Sequence, residues 1–360
     1  MMEKLRILVV DDSAFMRKLI SDILKSDPLI EVVGTARNGL DAIEKVKTLR
    51  PHVITLDIEM PIMDGIQALQ KIMKEYPTPV IMLSSTTKLG AENTLLAMQY
   101  GAVDFITKPS GSISLDLEKV KDDLIQKVKQ ARKVNLEKLR YPSESKQILS
   151  TERVTIANVE KRQSTNWAKN KNKLICIGIS TGGPRALQTL LTGFPKDLEA
   201  PIIIVQHMPA GFTKSLANRL NTISKIHVKE AEDGEIIRKG TAYIAPGDFH
   251  LHVKQLGANI VISLNQAPPL NGHRPSVDTM FHSISKLSNY DKIAVIMTGM
   301  GSDGSQGLIE LKNNGNVKAI AESKNSCIVF GMPKAAIATN LVDEIEDLEK
   351  LSQTIMKYLP

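Results

Sequence analysis

Short apolar runs recur along this chain, each closing on polar residues and most followed by a stretch with helical apolar spacing. No other feature constrains the fold as much. In the first third of the 360 residues the runs are 6–10, 32–35, 53–56, 80–83 and 103–106. Between them, residues 15–25, 42–49, 66–73 and 95–100 place apolar side chains three and four apart, as one face of a helix requires. A strand that is apolar on both faces needs helices on both faces of its sheet. Five such alternations therefore predict a parallel, doubly wound α/β unit. The pattern returns at 174–179, 201–206 and 293–298, with shorter runs at 242–244, 251–253 and 259–264. These predict a second doubly wound, mostly parallel α/β domain over 173–360, carrying a strand-rich insertion with Gly and Pro turns.

Between the two units the rhythm breaks. Residues 124 to about 139 can continue a last helix, and from Tyr141 the chain is polar, basic and without period, which predicts a linker to residue 172. Its lone Trp167 reads as an incidental linker residue, with a contact point as the alternative. The net charge of +7 invites a nucleic-acid reading, but residues 124–172 hold 12 Lys or Arg against 4 Asp or Glu. The excess thus belongs to one segment and to no domain face, which argues against nucleic acid as a partner. No apolar run approaches the ~20 residues of a membrane-spanning helix, and the run before Asp11 and Asp12 does not have the form of a signal peptide. Two cysteines, one of them (Cys176) inside an apolar run, give no disulfide framework, and the expected setting is the reduced cytoplasm.

In an open parallel sheet, ligands bind at the carboxyl ends of the strands. Asp11 and Asp12 follow the first run, Asp57 the third, Ser84 the fourth, and Lys108-Pro109 the fifth. Clustered carboxylates repel one another unless a hard divalent cation bridges them, which points to Mg²⁺; a lysine and a hydroxyl at the same rim suit a phosphoryl group. These residues, with the run Leu56-Asp57-Ile58-Glu59-Met60-Pro61-Ile62-Met63-Asp64-Gly65, resemble the receiver domain of two-component systems. The resemblance spans residues 4 to about 122 and assigns 1–123 to a receiver. It implies that Asp57 accepts phosphate from a histidine kinase and that Asp11, Asp12, Asp57 and the Glu59 carbonyl hold Mg²⁺. It also implies that Ser84, Phe105 and Lys108 relay the change. The family often has Thr and Tyr where this chain has Ser84 and Phe105.

In the second unit, Ser180-Thr181-Gly182-Gly183-Pro184 follows the strand 174–179, and Gly178-x-Ser180-x-Gly182 has the form of a nucleophile elbow. Taken alone, the serine reads equally well as a helix cap. However, His207 follows the next strand, and Gly299-Met300-Gly301-Ser302-Asp303-Gly304 follows the strand 293–298. A serine hydroxyl needs a base, and the imidazole needs a carboxylate to fix its tautomer, so the three residue types at one sheet edge suggest an acyl-transfer site. Asp248 and Asp278 are rival carboxylates without Asp303's glycine-rich setting. His250 and His252 sit two apart on a predicted strand but have no further metal ligands at suitable spacing. His52, His227, His273 and His282 show no pattern that assigns a role.

The serine and histidine turns, Ala245-Pro246-Gly247-Asp248-Phe249-His250 and the glycine run resemble the catalytic domain of chemotaxis protein-glutamate methylesterases. The order receiver, linker, catalytic domain matches that family over nearly the whole chain. The resemblance implies hydrolysis of glutamate methyl esters on methyl-accepting chemotaxis receptors with release of methanol, and deamidation of certain receptor glutamines. It casts Ser180 as nucleophile, His207 as base and Asp303 as its orienting carboxylate, with Met300 and Thr181 N–H groups holding the oxyanion. Mg²⁺ would serve the receiver alone and no cofactor the esterase, and a monomer suffices. A DNA-binding response regulator, a small-molecule esterase and a non-catalytic receptor adaptor are the rival readings.

Overall fold

The computed structural model describes residues 3–108, 114–139, 167 and 171–359; Pro109 and linker positions 140–166 and 168–170 lie outside the described residues. The first unit alternates throughout: β1 Leu5–Val10, α1 Ala14–Lys25, β2 Ile30–Ala36, α2 Gly39–Leu49, β3 Val53–Asp57, α3 Gly65–Glu75, β4 Val80–Ser84, α4 Lys88–Gln99, β5 Asp104–Thr107 and α5 Ser114–Ala131. The side chains of Ser13, Asn38, Asp64 and Thr87 each accept an N–H from the first turn of α1 to α4, so four of the helix starts are written in single polar residues. The strands pair in the order β2-β1-β3-β4-β5, all parallel. The order reverses direction between β1 and β3, which opens the crevice at the ends carrying Asp11 and Asp57. Helix α5 runs unbroken through residue 123, burying Leu124, Val128 and Ala131 in the core of this unit, and a 3₁₀ turn at Leu136–Leu139 follows.

The second unit comprises β6 Asn172–Ile179, α6 Gly183–Thr192, β7 Ile202–Gln206, α7 Phe212–Ile223, β8 His227–Glu230, β9 Thr241–Ile244, β10 His250–Leu256, β11 Asn259–Asn265, α8 Val277–Ser285, β12 Tyr290–Ile296, α9 Ser305–Asn313, β13 Val317–Glu322, α10 Met332–Ala338, β14 Glu344–Glu346 and α11 Leu348–Met356. Seven strands form one parallel sheet, β14-β13-β12-β6-β7-β9-β8. Side-chain alternation divides its core in two. Ile175, Ile177, Ile202 and Ile204 pack with Leu187, Leu190 and Phe212 on one face; Leu174, Cys176, Ile203 and Val205 pack with Met280, Phe281 and Leu308 on the other.

Two sequence expectations are corrected. Residues 242–244 do not belong to an insertion: they lie in β9, a strand of the main sheet, and only β10 and β11 form a separate antiparallel hairpin. Strands β8 and β14 escaped notice because each is short, with one apolar residue in the segment, Val228 and Ile345. Trp167 is not incidental. Its Nε1–H donates to the Tyr358 carbonyl at 2.9 Å, its ring meets Tyr358 edge-on, and the Lys173 ammonium lies 4.5 Å above it. Hydrogen bonding and cation–π attraction thus pin this point of the linker to the second unit.

Candidate active site and phosphoacceptor site

In the first unit, the strand ends bring Asp11, Asp12 and Asp57 together, with one carboxylate oxygen from each lying within 4.8 Å of the others. Asp11 and Asp57 are buried, and Lys108 spans them with ion pairs of 2.9 and 2.8 Å. Burial pushes the Asp57 carboxyl up to about 6, against the pull of Lys108. Three hard oxygen donors at this spacing, two of them buried, fit a small divalent cation. Ser84 has its hydrogen bonds elsewhere. Its hydroxyl donates to the Gly90 carbonyl at 3.1 Å and accepts from Thr94 at 2.7 Å, which ties β4 to α4.

In the second unit, Ser180 follows β6, His207 follows β7 and Asp303 lies in the loop after β12, so adjacent parallel strands deliver all three to one edge. The Ser180 N–H donates to the Thr298 carbonyl (2.9 Å), and its own carbonyl accepts from Gly183 (2.7 Å) and from the Gln206 amide (3.0 Å). Gly182 takes φ of 80°, and a Cβ at Gly299 would stand 2.8 Å from the Ser180 Cβ. The close approach of these two turns therefore demands glycine.

His207 Nε2 bonds Asp303 Oδ2 at 2.8 Å, and the ring's Nδ1 is buried with no partner among the described residues. That nitrogen is the one available to accept a proton. The Asp303 carboxylate also accepts the Ser276 hydroxyl (2.9 Å) and the N–H groups of Val277 (2.7 Å) and Asp278 (2.9 Å). Burial would raise its pKa, but the His207 ring and these donors hold it well below the usual carboxylate range. Asp303 is thereby kept ionised beside the imidazole. Asp278 plays a different part: its carboxylate accepts from Gly304 (2.9 Å) and Gly307 (2.7 Å), fixing the loop, while burial pushes it up to about 6.

The family models match this chain twice, as "Response regulator receiver domain" over residues 7–118 and as "CheB methylesterase" over residues 175–355. A protein from Halalkalibacterium halodurans named protein-glutamate methylesterase/protein-glutamine glutaminase is 58% identical over 99% of both chains. A protein of the same name from Bacillus subtilis is 50% identical over 98% of this chain and 97% of its own. The chain belongs to the CheB methylesterase family. Among solved structures, the CheB methylesterase catalytic domain of Thermotoga maritima matches 52% of this chain and 99% of its own, at 44% identity and a TM-score of 0.50.

Sequence reasoning missed several residues around this family's site. The His273 ring stacks on His207, with centroids 3.9 Å apart and planes 7° from parallel. Burial, then the neighbouring His207, pushes His273 down to about 4, so it is a neutral ring. It sits in a turn, where no periodicity could flag it. His250 instead bonds the Pro268 carbonyl, and His252 the Asn265 side chain.

The contact between the two units was not foreseen in detail. The Thr181 hydroxyl donates to Asp104 of β5 at 2.5 Å. Phe105 is buried and stacks on Phe212 at the start of α7, with centroids 4.7 Å apart. Gln99, just before β5, bonds Gln188 of α6 and Arg219 of α7, and Lys138 reaches the carbonyls of Lys324 and Cys327. Lys127 of α5 bonds the Phe105 carbonyl, and its charge, like that of Asp123, is felt at His273. The α4–β5–α5 side of the receiver thus lies against the walls of the Ser180 edge.

Proposed function

We propose that this chain is a phosphorylation-regulated protein-glutamate methylesterase and protein-glutamine glutaminase acting on chemotaxis receptors, with Ser180, His207 and Asp303 as its catalytic set. One observation carries the assignment of roles: His207 gives one nitrogen to a buried, ionised Asp303 and keeps the other free at the edge where Ser180 stands. In this reading His207 Nδ1 takes the Ser180 proton as the oxygen attacks the ester carbonyl. The oxyanion is held by the Met300 and Thr181 N–H groups. The tetrahedral centre expels the methoxy oxygen, which takes the proton from His207 and leaves as methanol. Water, deprotonated by His207, then attacks the acyl-enzyme, and Ser180 departs with the proton to leave a glutamate side chain. A glutamine amide follows the same course with ammonia leaving. The esterase steps call on no cofactor.

The receiver family implies a histidine kinase as donor to Asp57 and Mg²⁺ for phosphorylation. Here Asp11, Asp12, Asp57 and the Glu59 carbonyl would hold that ion, which would offset the charge of an incoming phosphoryl group. In the unphosphorylated chain the receiver packs on the Thr181 turn and α7 and restricts access to Ser180. A phosphoryl group on Asp57 recruits Lys108 and the Ser84 hydroxyl, shifts β4, α4 and Phe105, and favours release. It acts only through that differential preference. We assign residues 1–123 to the receiver with α5 continuing it, 124–172 to the connection and 173–360 to the esterase. The protein works as a cytoplasmic monomer without nucleic acid; among the described residues no helix is long and apolar enough to cross a membrane.

The test is methanol release from methylated receptor membranes by the full chain and by Ser180→Ala, each with and without acetyl phosphate and Mg²⁺. Release that requires Ser180 and rises with the donor is expected. No release from the native chain under either condition would overturn the reading.

A further inference from the structure

Behind the active-site edge, Glu322 closes β13 with 0% exposure. Its Oε2 accepts the Thr298 N–H at 2.8 Å and its Oε1 accepts the Ser326 hydroxyl at 3.0 Å. Thr298 joins the two turns of the site. Its carbonyl accepts the Ser180 N–H (2.9 Å), and its hydroxyl donates to the Thr181 carbonyl (3.0 Å) and accepts the Val329 N–H (3.0 Å). The next residue, Gly299, exchanges further backbone bonds with Val329, Gly331 and Met332, and Met300 follows it. One buried carboxylate therefore holds the peptide that stands between the nucleophile turn and the Met300 loop.

We propose that Glu322 is a positioning residue for the esterase reaction, fixing Thr298 and through it the separation between Ser180 and the oxyanion donors. The inference rests on the reading of Ser180 as nucleophile. A buried carboxyl is costly to keep, and without an acceptor here the Thr298 N–H would be left unsatisfied. Among the described residues, the hydrogen-bond partners of the carboxylate oxygens are the Thr298 N–H and the Ser326 hydroxyl. Lys138, Arg185, Asp347 and Glu349 line a cavity of about 500 Å³ beside it, and the Cys327 thiol donates to the Glu322 main-chain carbonyl. Burial, with a smaller push from Glu349, raises the Glu322 carboxyl to about 7. What the site needs from this residue is an acceptor at the correct reach: small misplacements of reacting groups are expensive, on the order of 10²-fold per ångström.

Reach and charge are separable. Glu322→Gln keeps the length and an acceptor without the charge; Glu322→Asp keeps the charge but withdraws it by one methylene. Methanol release from methylated receptor membranes, with the full chain, acetyl phosphate and Mg²⁺, is measured as kcat and KM separately. The expected result is a kcat about tenfold lower for Glu322→Asp with KM little changed, and a kcat near native for Glu322→Gln. Native kcat in Glu322→Asp, or a loss in Glu322→Gln as deep as in Glu322→Asp, would overturn the proposal. Should Glu322→Asp fail to fold, Glu322→Met, which keeps the length and removes the acceptor, takes its place; the same kcat loss is expected, and an unchanged kcat would overturn the proposal. If the native chain itself releases no methanol, the esterase reading has failed instead.

Discussion

The two polar clusters of this molecule both sit at the carboxyl edge of a parallel sheet, yet they are charged in opposite senses of readiness. At the receiver edge two buried carboxylates are bridged by Lys108, and the third, Asp12, is exposed. At the esterase edge Asp303 is satisfied by one imidazole nitrogen and four other donors, and among the described residues the second imidazole nitrogen has no partner. Parallel sheets place polar loops at one edge, but the donors around each carboxylate decide what it does. Crowded carboxylates with one lysine suit a cation and a phosphoryl group; a carboxylate wrapped in N–H and O–H donors suits holding an imidazole.

The comparison breaks most visibly if Asp303 is made neutral. Asp303→Asn keeps the shape but offers His207 the wrong partner, and kcat for methanol release is expected to fall on the order of 10³- to 10⁴-fold. A fall of less than tenfold would mean that Asp303 does not orient the base. On the receiver side, Asp57→Asn should leave unstimulated release near native and abolish the response to acetyl phosphate. Stimulation retained in Asp57→Asn would place the phosphoacceptor elsewhere.

The link between the edges is testable at Phe105. Aromatic stacking is worth about 0.5–1.5 kcal/mol beyond burial, so Phe105→Ala should raise unstimulated release by roughly 2- to 10-fold and the stimulated rate far less. Equal rates with and without the ring would separate the Phe105–Phe212 contact from regulation. The smallest effect is one of stability. A carboxyl whose folded pKa is raised favours the fold while protonated, and that advantage is lost as pH rises from its ordinary value of 4.5 toward about 7. The stability of Glu322→Gln relative to the native chain should therefore improve between pH 5 and pH 7.5, by at most about 3 kcal/mol, and then level off. Urea melts across that range measure it; a flat difference would mean that Glu322 titrates as it does in water.

Much of this was legible in the sequence, because strand ends are local features. Asp57, Ser180, His207 and Asp303 each follow an apolar run, and glycines mark the turns that must approach closely. The strand and helix alternation of the first unit was readable for the same reason. What could not be read depends on distant pairs. His273 matters through a ring brought from a turn 66 positions downstream of His207. Glu322 matters through a main-chain N–H on a neighbouring strand's loop. Phe105 was legible as a receiver residue, but its partner Phe212 lies across the contact between the two units and leaves no mark in either local pattern.

In the proposed regulation the receiver covers Ser180, and phosphorylation of Asp57 uncovers it. The most direct measurement is the rate at which a fluorophosphonate labels Ser180 in the full chain, with and without acetyl phosphate and Mg²⁺, with Asp57→Asn in parallel. The account predicts faster labelling with the donor in the native chain and no change in Asp57→Asn. Equal labelling rates in the native chain under both conditions would contradict it.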